Sequence, residues 1–320
     1  MGFRNIPDFV GCRGFLRLPA RSRFRYVWGQ MDSMTPPREP GELLDGRYLL
    51  GDILGKGGHG IVYRAHDQQT NKDVAIKFLH PEFASDPEFN VRMLREAQVA
   101  SKLSGTAAIQ IYALRSDRSG ALFIVMELLE GQDLGDYLAM WEDQGQHFPV
   151  AEVPKIFAPI VHTLSAAHAM GVAHRDLKPG NIFVMAAERG GQVRLLDFGL
   201  AKVMSANALT RNGMVAGSPS YIAPEVWRGD PTKLDHRIDV YSLGALIFRV
   251  LSSDPPFKGT LIELMQASLT GTRPSLHEKR PKELPKEIDP WVQRALAISL
   301  DKRYPTVSEM WSDLSKILGW

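Results

Sequence analysis

Cysteine is nearly missing from this 320-residue chain, where Cys12 is the only one. That excludes an internal disulfide framework and any metal site built from several cysteines, and it fits the reducing cytoplasm. Long hydrophobic runs are missing as well. The longest apolar stretches, residues 121–129 and 240–251, are too short to cross a bilayer and read instead as a buried strand and a buried helix. Neither sign of charge prevails, since 38 Lys and Arg stand against 36 Asp and Glu. Such a balance points to neither nucleic acid nor an acidic membrane as a partner. The nine histidines are scattered, with no HExxH pair, which argues against a metal site made by protein side chains alone.

What is there suffices for one large domain or two ordinary ones, and 44 % hydrophobic with 23 % charged residues is a globular composition. Residues 1–44 stand apart. They carry Arg4, Arg13, Arg17, Arg21, Arg23 and Arg25, few acids, and the breakers Pro36-Pro37 and Pro40-Gly41. A segment of this kind buries too little apolar surface to fold alone and reads as a basic, disordered extension, with a targeting peptide or a docking arm as alternatives. Met31 and Met34 leave open a later start, and nothing in the segment predicts secretion.

From Tyr48 the text changes. Short apolar and β-branched runs at 48–54, 60–65, 73–79, 109–115 and 122–127, separated by turn residues, predict an antiparallel sheet. One helix interrupts them: Ser85 and Glu88 form a capping-box pattern with Pro87 in the first turn, and the periodicity runs to about Leu103. After Gly131 the pattern is mainly helical. The expectation is an α+β fold, a small sheet-rich lobe followed by a larger helical one.

Three patterns carry chemistry. In Gly55-Lys56-Gly57-Gly58-His59-Gly60 the glycines lie between two strand-like runs, and Val62 and Tyr63 continue the extended pattern. A dinucleotide fingerprint would need a helix directly after the loop, so this reads as a glycine-rich hairpin. Such a loop lets backbone N–H groups approach phosphates; an ordinary glycine hairpin looks the same when taken alone. In Val74-Ala75-Ile76-Lys77 a lysine ends an apolar strand. Glu96 shares a helical face with Phe89, Met93 and Ala100, and a carboxylate on an apolar face needs a partner, for which Lys77 is the candidate. Third come His174-Arg175-Asp176-Leu177-Lys178-Pro179-Gly180-Asn181 and Asp197-Phe198-Gly199.

With these residues the chain resembles a eukaryotic-type protein kinase, in the style of the bacterial Ser/Thr kinases, from about Tyr48 to the C-terminus. The resemblance implies the two-lobed kinase fold in a domain spanning 45–320, with the small lobe at about 45–126, a hinge at 127–130 and the large lobe at 131–320. It implies transfer of the ATP γ-phosphate, with Mg2+ or alternatively Mn2+, to Ser and Thr hydroxyls of proteins, chemistry in which the protein supplies position and positive charge. Asp176 would orient the acceptor hydroxyl and take its proton. Lys178 would neutralise the γ-phosphate, and Lys77, placed by Glu96, would hold the α- and β-phosphates. Asn181 and Asp197 would hold the metal, as hard cations prefer oxygen. The hairpin from Gly55 to Gly60, with Val62 and Ala75, would cover the nucleotide. Met126 would back the pocket while backbone groups of Glu127 and Leu129 bind adenine. Asp133 matches a ribose-contacting acid, or is a solvated loop carboxylate.

The same resemblance makes 197–225 an activation segment ending in a docking loop, Gly217-Ser218-Pro219-Ser220-Tyr221, and in Ala223-Pro224-Glu225. Small-molecule kinases lack both, and silent relatives lack Lys77, Asp176 or Asp197, all present here. His174 is expected to pack near Phe198, Asp239 to brace the catalytic loop, and Arg303 to pair with Glu225. Arg175, taken as buried, would receive a phosphate on Thr210, placed there by autophosphorylation in a transient homodimer; a solvated threonine without a role is the alternative. Two departures stand out. Gly105-Thr106-Ala107-Ala108 replaces the usual turn, so that loop is expected to be anchored differently, and Pro159 should kink or shorten the helix before His174.

Overall fold

Short apolar runs bounded by turn residues make Tyr48–Gly57 (β2), Gly60–Asp67 (β3) and Lys72–Leu79 (β4) three consecutive antiparallel strands in the computed structural model, which describes residues 38–57, 60–79, 102–198, 219–229 and 234–320. Leu43–Leu44 (β1), Ile111–Ser116 (β5) and Leu122–Glu127 (β6) complete one sheet in the order β1-β2-β3-β4-β6-β5. Residues directly opposite in an antiparallel pair share a face. Val62 lies opposite Lys77 and Met126 opposite Ala75, so one face carries Val62, Ala75, Lys77 and Met126. The other face, one residue out of phase, packs Tyr63, Ile76, Phe78, Phe123 and Val125 into the small lobe's own core. The helix expected at 85–103 falls, but for its last two residues, outside the described residues.

The segment from Arg38 to Leu44, read from the sequence as the end of the extension, lies on this sheet. Gly41 N–H donates to Leu50 O (2.8 Å), Leu50 N–H donates to Glu42 O (2.9 Å), and Leu44 is buried. The Pro40-Gly41 breaker turns the chain onto the strand edge, where its backbone groups find partners.

The run predicted as a strand over 109–115 divides. Its later part is β5, while Ala107, Ala108 and Ile109 cross to Val193–Leu195 (β9): Leu195 N–H donates to Ala107 O (2.7 Å) and Ile109 N–H to Leu195 O (3.0 Å). β9 joins Ile182–Met185 (β8) and Gly131–Asp133 (β7) in a second sheet. Gly131 is required there, because at φ 150° a Cβ would stand 2.2 Å from Val184 O.

Leu134–Glu142 (α1) starts on an Asp133 cap, and Val153–Ala169 (α2) runs through Pro159. The early boundary expected at Pro159 does not occur. The carbonyl that this proline leaves unpaired belongs to Lys155, on the solvent side, where water can serve it. Pro224–Arg228 (α3), Arg237–Ser252 (α4), Leu261–Thr270 (α5), Ile288–Ala295 (α6) and Val307–Leu318 (α7) follow. α4 is apolar around almost its whole circumference and is buried to match, forming the axis of the large-lobe core.

Candidate active site

Asp239, in the first turn of α4, has no exposed surface, and it organises the segment from His174 to Asn181. Its Oδ2 accepts from the backbone N–H of His174 (2.7 Å) and its Oδ1 from that of Arg175 (2.8 Å), while His168 Nε2 donates to Oδ2 (2.7 Å). Burial alone would push this carboxyl up; the hydrogen bond and charge of His168 and the Arg175 N–H outweigh burial and hold it below its ordinary value. Arg175 takes a left-handed backbone, φ 65°, a strained conformation for a side chain of this size that the two bonds to Asp239 fix. His174 Nδ1 accepts from Asp176 N–H (3.3 Å), so Nε2 carries the proton and donates to Leu196 O (2.8 Å). Its ring packs on Phe198 with centroids 4.9 Å apart, as expected.

On this base sit the polar groups. Lys178 Nζ donates to Asp176 Oδ2 (2.8 Å), and Asn181 Nδ2 donates to the same oxygen (3.0 Å) and to Asp176 O (2.7 Å). Lys77, from the opposite lobe and 120 residues away, donates to Asp197 Oδ1 (2.6 Å). Asp197 is also left-handed, at φ 50°, which turns its carboxylate out of the β9 direction. Lys77, Asp176, Lys178, Asn181 and Asp197 therefore form two adjoining charged pairs, with two cations to neutralise a polyanion. The donor set suits a hard cation: Asp197 offers carboxylate oxygen, and Asn181 spends its amide nitrogen on Asp176 and keeps its amide oxygen.

Above lies the glycine hairpin. Gly57 pairs with Gly60 and Lys56 with Ile61, and a Cβ on Gly55 would meet nothing within 4 Å, so the strand leaves open space at Gly55. Val62 and Ala75 share the Lys77 face. Gly58, His59, Glu96 and Thr210 lie outside the described residues, so the pairing of Glu96 with Lys77 is not seen. Arg175 differs from expectation, since its side chain is exposed rather than buried. Asp133 also does more than a solvated loop acid, because its Oδ1 caps α1 by accepting from Gly135 N–H (2.8 Å) and Asp136 N–H (3.1 Å).

The hinge shows what the sequence reading missed. Glu127 N–H donates to Gln110 O (2.9 Å). Its carboxylate accepts from Gln110 N–H (2.8 Å) and from Arg194 Nε (3.1 Å). Leu129 follows in the partly buried part of the connection. At the far end of the hinge, Arg189 grips Glu130 with both arms (2.8 and 2.9 Å), and this bond first, with the charge of Arg189, lowers the Glu130 carboxyl. Two arginines, Arg189 before β9 and Arg194 within it, thus hold two hinge glutamates. The one available signal was Arg194 itself, a charge between the buried Val193 and Leu195 of a very short strand.

The departure at Gly105–Ala108 also finds its anchor here. Ala107 N–H donates to Thr163 Oγ1 (2.9 Å), and that hydroxyl donates in turn to Pro159 O (2.8 Å) within α2. Beyond the catalytic loop, Ser242 Oγ holds Tyr221 O (2.8 Å) and Ser268 Oγ holds Ile222 O (3.2 Å). Burial pushes the Tyr221 hydroxyl up to about 12. Arg303 closes on Glu225 with two bonds of 2.7 and 3.0 Å, a fully buried pair reinforced by Arg303 bonds to Ala297 O and Arg237 O, as expected.

Residues 48–313 match the family described as the protein kinase domain. The chain is 35 % identical over 289 residues to the serine/threonine-protein kinase PknB of Mycobacterium tuberculosis, covering 89 % of this chain and 44 % of that protein. It is 34 % identical over 287 residues to PknB of Mycobacterium leprae, covering 88 % and 44 %. It thus spans less than half the length of these relatives. Among solved structures, the Mycobacterium tuberculosis PknI kinase domain superposes with a TM-score of 0.68 at 26 % identity, covering 88 % of this chain and 99 % of that one.

Proposed function

Because the chain belongs to the protein kinase family, we propose that it transfers the γ-phosphate of ATP to Ser and Thr hydroxyls of protein substrates. The observation that carries this reading is the meeting of Lys77 with Asp197 beside the Lys178–Asp176–Asn181 set. Phosphoryl transfer asks for alignment and positive charge rather than covalent catalysis, and these residues are of the required kinds.

Asp176 accepts the proton of the incoming hydroxyl; the bonds from Lys178 and Asn181 to its Oδ2 fix the carboxylate's rotamer. Lys178, already beside Asp176, offsets charge on the transferring group. Lys77 holds the phosphates nearer the base, and the glycine hairpin closes over them through backbone N–H groups. Asn181 and Asp197 would hold Mg2+, or Mn2+ in its place, which when bound neutralises phosphate oxygens. Glu127 O and Leu129 face the adenine, with Met126 behind it. The second oxygen of Asp133 serves the ribose. ATP supply puts the work in the cytoplasm, in signalling by protein phosphorylation.

Regulation by autophosphorylation of Thr210, in a transient pair of chains, belongs to the same reading. The exposed Arg175 guanidinium, beside the catalytic aspartate and on a backbone fixed by Asp239, is a receptor of the right charge for a phosphate. The test of the function is incubation with labelled ATP, Mg2+ and a generic protein substrate, beside Asp176→Asn. Equal label incorporation by both proteins would sink the reading.

A further inference from the structure

One residue ahead of Val62 and one beyond Lys77 lie Tyr63 and Phe78, whose side chains point to the opposite face of the sheet. There Tyr63 meets Phe78 edge-on at 5.7 Å, and Phe78 meets Phe123 at 5.5 Å. Arg38 closes this aromatic surface. Its backbone N–H donates to the Tyr63 hydroxyl (2.8 Å), and its guanidinium sits 4.4 Å from the centre of the Phe78 ring. The same guanidinium forms ion pairs with Glu42, next to β1, and with Asp117, in the turn between β5 and β6. It therefore bridges from one edge of the small sheet to the other, directly behind the strand that carries Lys77. Asp117 is well suited as its counter-charge. Burial alone would push the Asp117 carboxyl up, but the Ser119 hydroxyl, the Ala121 N–H and Arg38 hold it lowered and ionised.

We infer that Arg38 is a positioning residue for Lys77, holding Phe78 against the outer face and so fixing the register of the lysine toward the nucleotide phosphates. Neighbouring residues of a strand share one backbone, so a Phe78 ring free to lift would tilt β4 and carry the Lys77 ammonium away from Asp197. A plain cover for Phe78 would need only an apolar side chain. Arg38 instead ties the ring to two carboxylates by a cation that stacks on it, which restrains the position of the ring as well as its exposure.

This inference rests on the reading of Lys77 as a phosphate-holding residue, and the experiment separates the two. In the full chain, the affinities for a non-hydrolysable ATP analogue with Mg2+ and for adenosine are measured for wild type, Arg38→Met, Arg38→Lys and Lys77→Met, along with each melting temperature. Met keeps an apolar cover without charge; Lys keeps the charge without the planar stack. Since Lys77 acts only through phosphates, Arg38→Met should weaken the analogue about 5-fold and leave adenosine within about 2-fold, with Arg38→Lys in between. Lys77→Met is the reference and should erase most of the preference for the analogue. If that reference keeps the preference, the reading of Lys77 fails and takes this inference with it. If the reference behaves but Arg38→Met leaves the preference unchanged, or weakens both ligands alike as a general loss of stability would, the positioning role alone is overturned.

Discussion

At the scale of single residues, Asp176 and Asp239 are separable by experiment. On the proposed function, Asp176 would face the acceptor hydroxyl, whereas Lys77, Asn181 and Asp197 would face the nucleotide. Asp176→Asn should lower kcat by about 1,000-fold or more while ATP affinity stays within a few-fold. Loss of binding in parallel with turnover would put Asp176 in the nucleotide site instead. Asp239 acts through the backbone, and its folded pKa lies below the ordinary 3.8. The native state therefore binds fewer protons than the unfolded one. Its contribution is complete above the unfolded pKa and is lost as pH falls through it toward the folded value. Denaturation between pH 3 and 6 should show Asp239→Asn less stable than wild type near pH 6, with the gap closing at the acid end. A gap independent of pH would contradict the ionised brace.

At the scale of elements, the loop Ala107–Ile109 ties the small lobe to the large one by a route other than the hinge. Thr163→Val keeps the shape of the side chain in α2 but strands the buried Ala107 N–H. The expected cost is about 1–3 kcal/mol in urea unfolding, against a much smaller effect of the same change at the exposed Thr270. Equal effects at both positions would remove Thr163 from this role. This tie also marks the limit of what the sequence makes legible. Five of the six strands of the small sheet were readable because alternation of apolar residues is local, and α4 because its stretch from Val240 to Leu251 is mostly apolar. Lys77 and Asp197 were each legible because both belong to recognisable motifs, but their contact was not, since the partner expected for Lys77 was Glu96. The bonds of Ala107 to Thr163 and of Glu127 to Arg194 have no such signal, being single contacts between residues 56 and 67 positions apart. Arg38 was misread for a related reason. Pro40 and Gly41 look like breakers of a disordered tail, yet here they form a turn beside Arg38, whose partners Tyr63, Phe78 and Asp117 come later in the chain.

At the scale of the whole molecule, the strap from Arg38 to Leu44 offers a test of where the folding unit begins. A chain starting at Arg38 should keep the melting temperature of the full protein, and one starting at Asp45 should lose about 5 °C or more, since it drops buried Leu44 along with Arg38. Equal melting temperatures would show the strap to be dispensable. The large lobe has its own keystone in Glu225 and Arg303. Removing one partner leaves the other charge buried and unpaired, so Arg303→Met should cost about 3–5 kcal/mol in equilibrium unfolding, with Glu225→Gln milder because it still accepts a hydrogen bond. A change under about 1 kcal/mol in both would mean that the pair is relaxed by water. The crossing of Ala107–Ile109 onto Leu195 has a last consequence, for how such a protein can be recombined. The hinge looks like the natural seam at which to exchange lobes between relatives, yet a crossover there would part Ala107 from its Thr163 hydroxyl and from the β9 edge. Chimeras cut at the hinge should therefore be viable only where the incoming large lobe brings a hydroxyl at position 163, so that the two halves are inherited as a matched set.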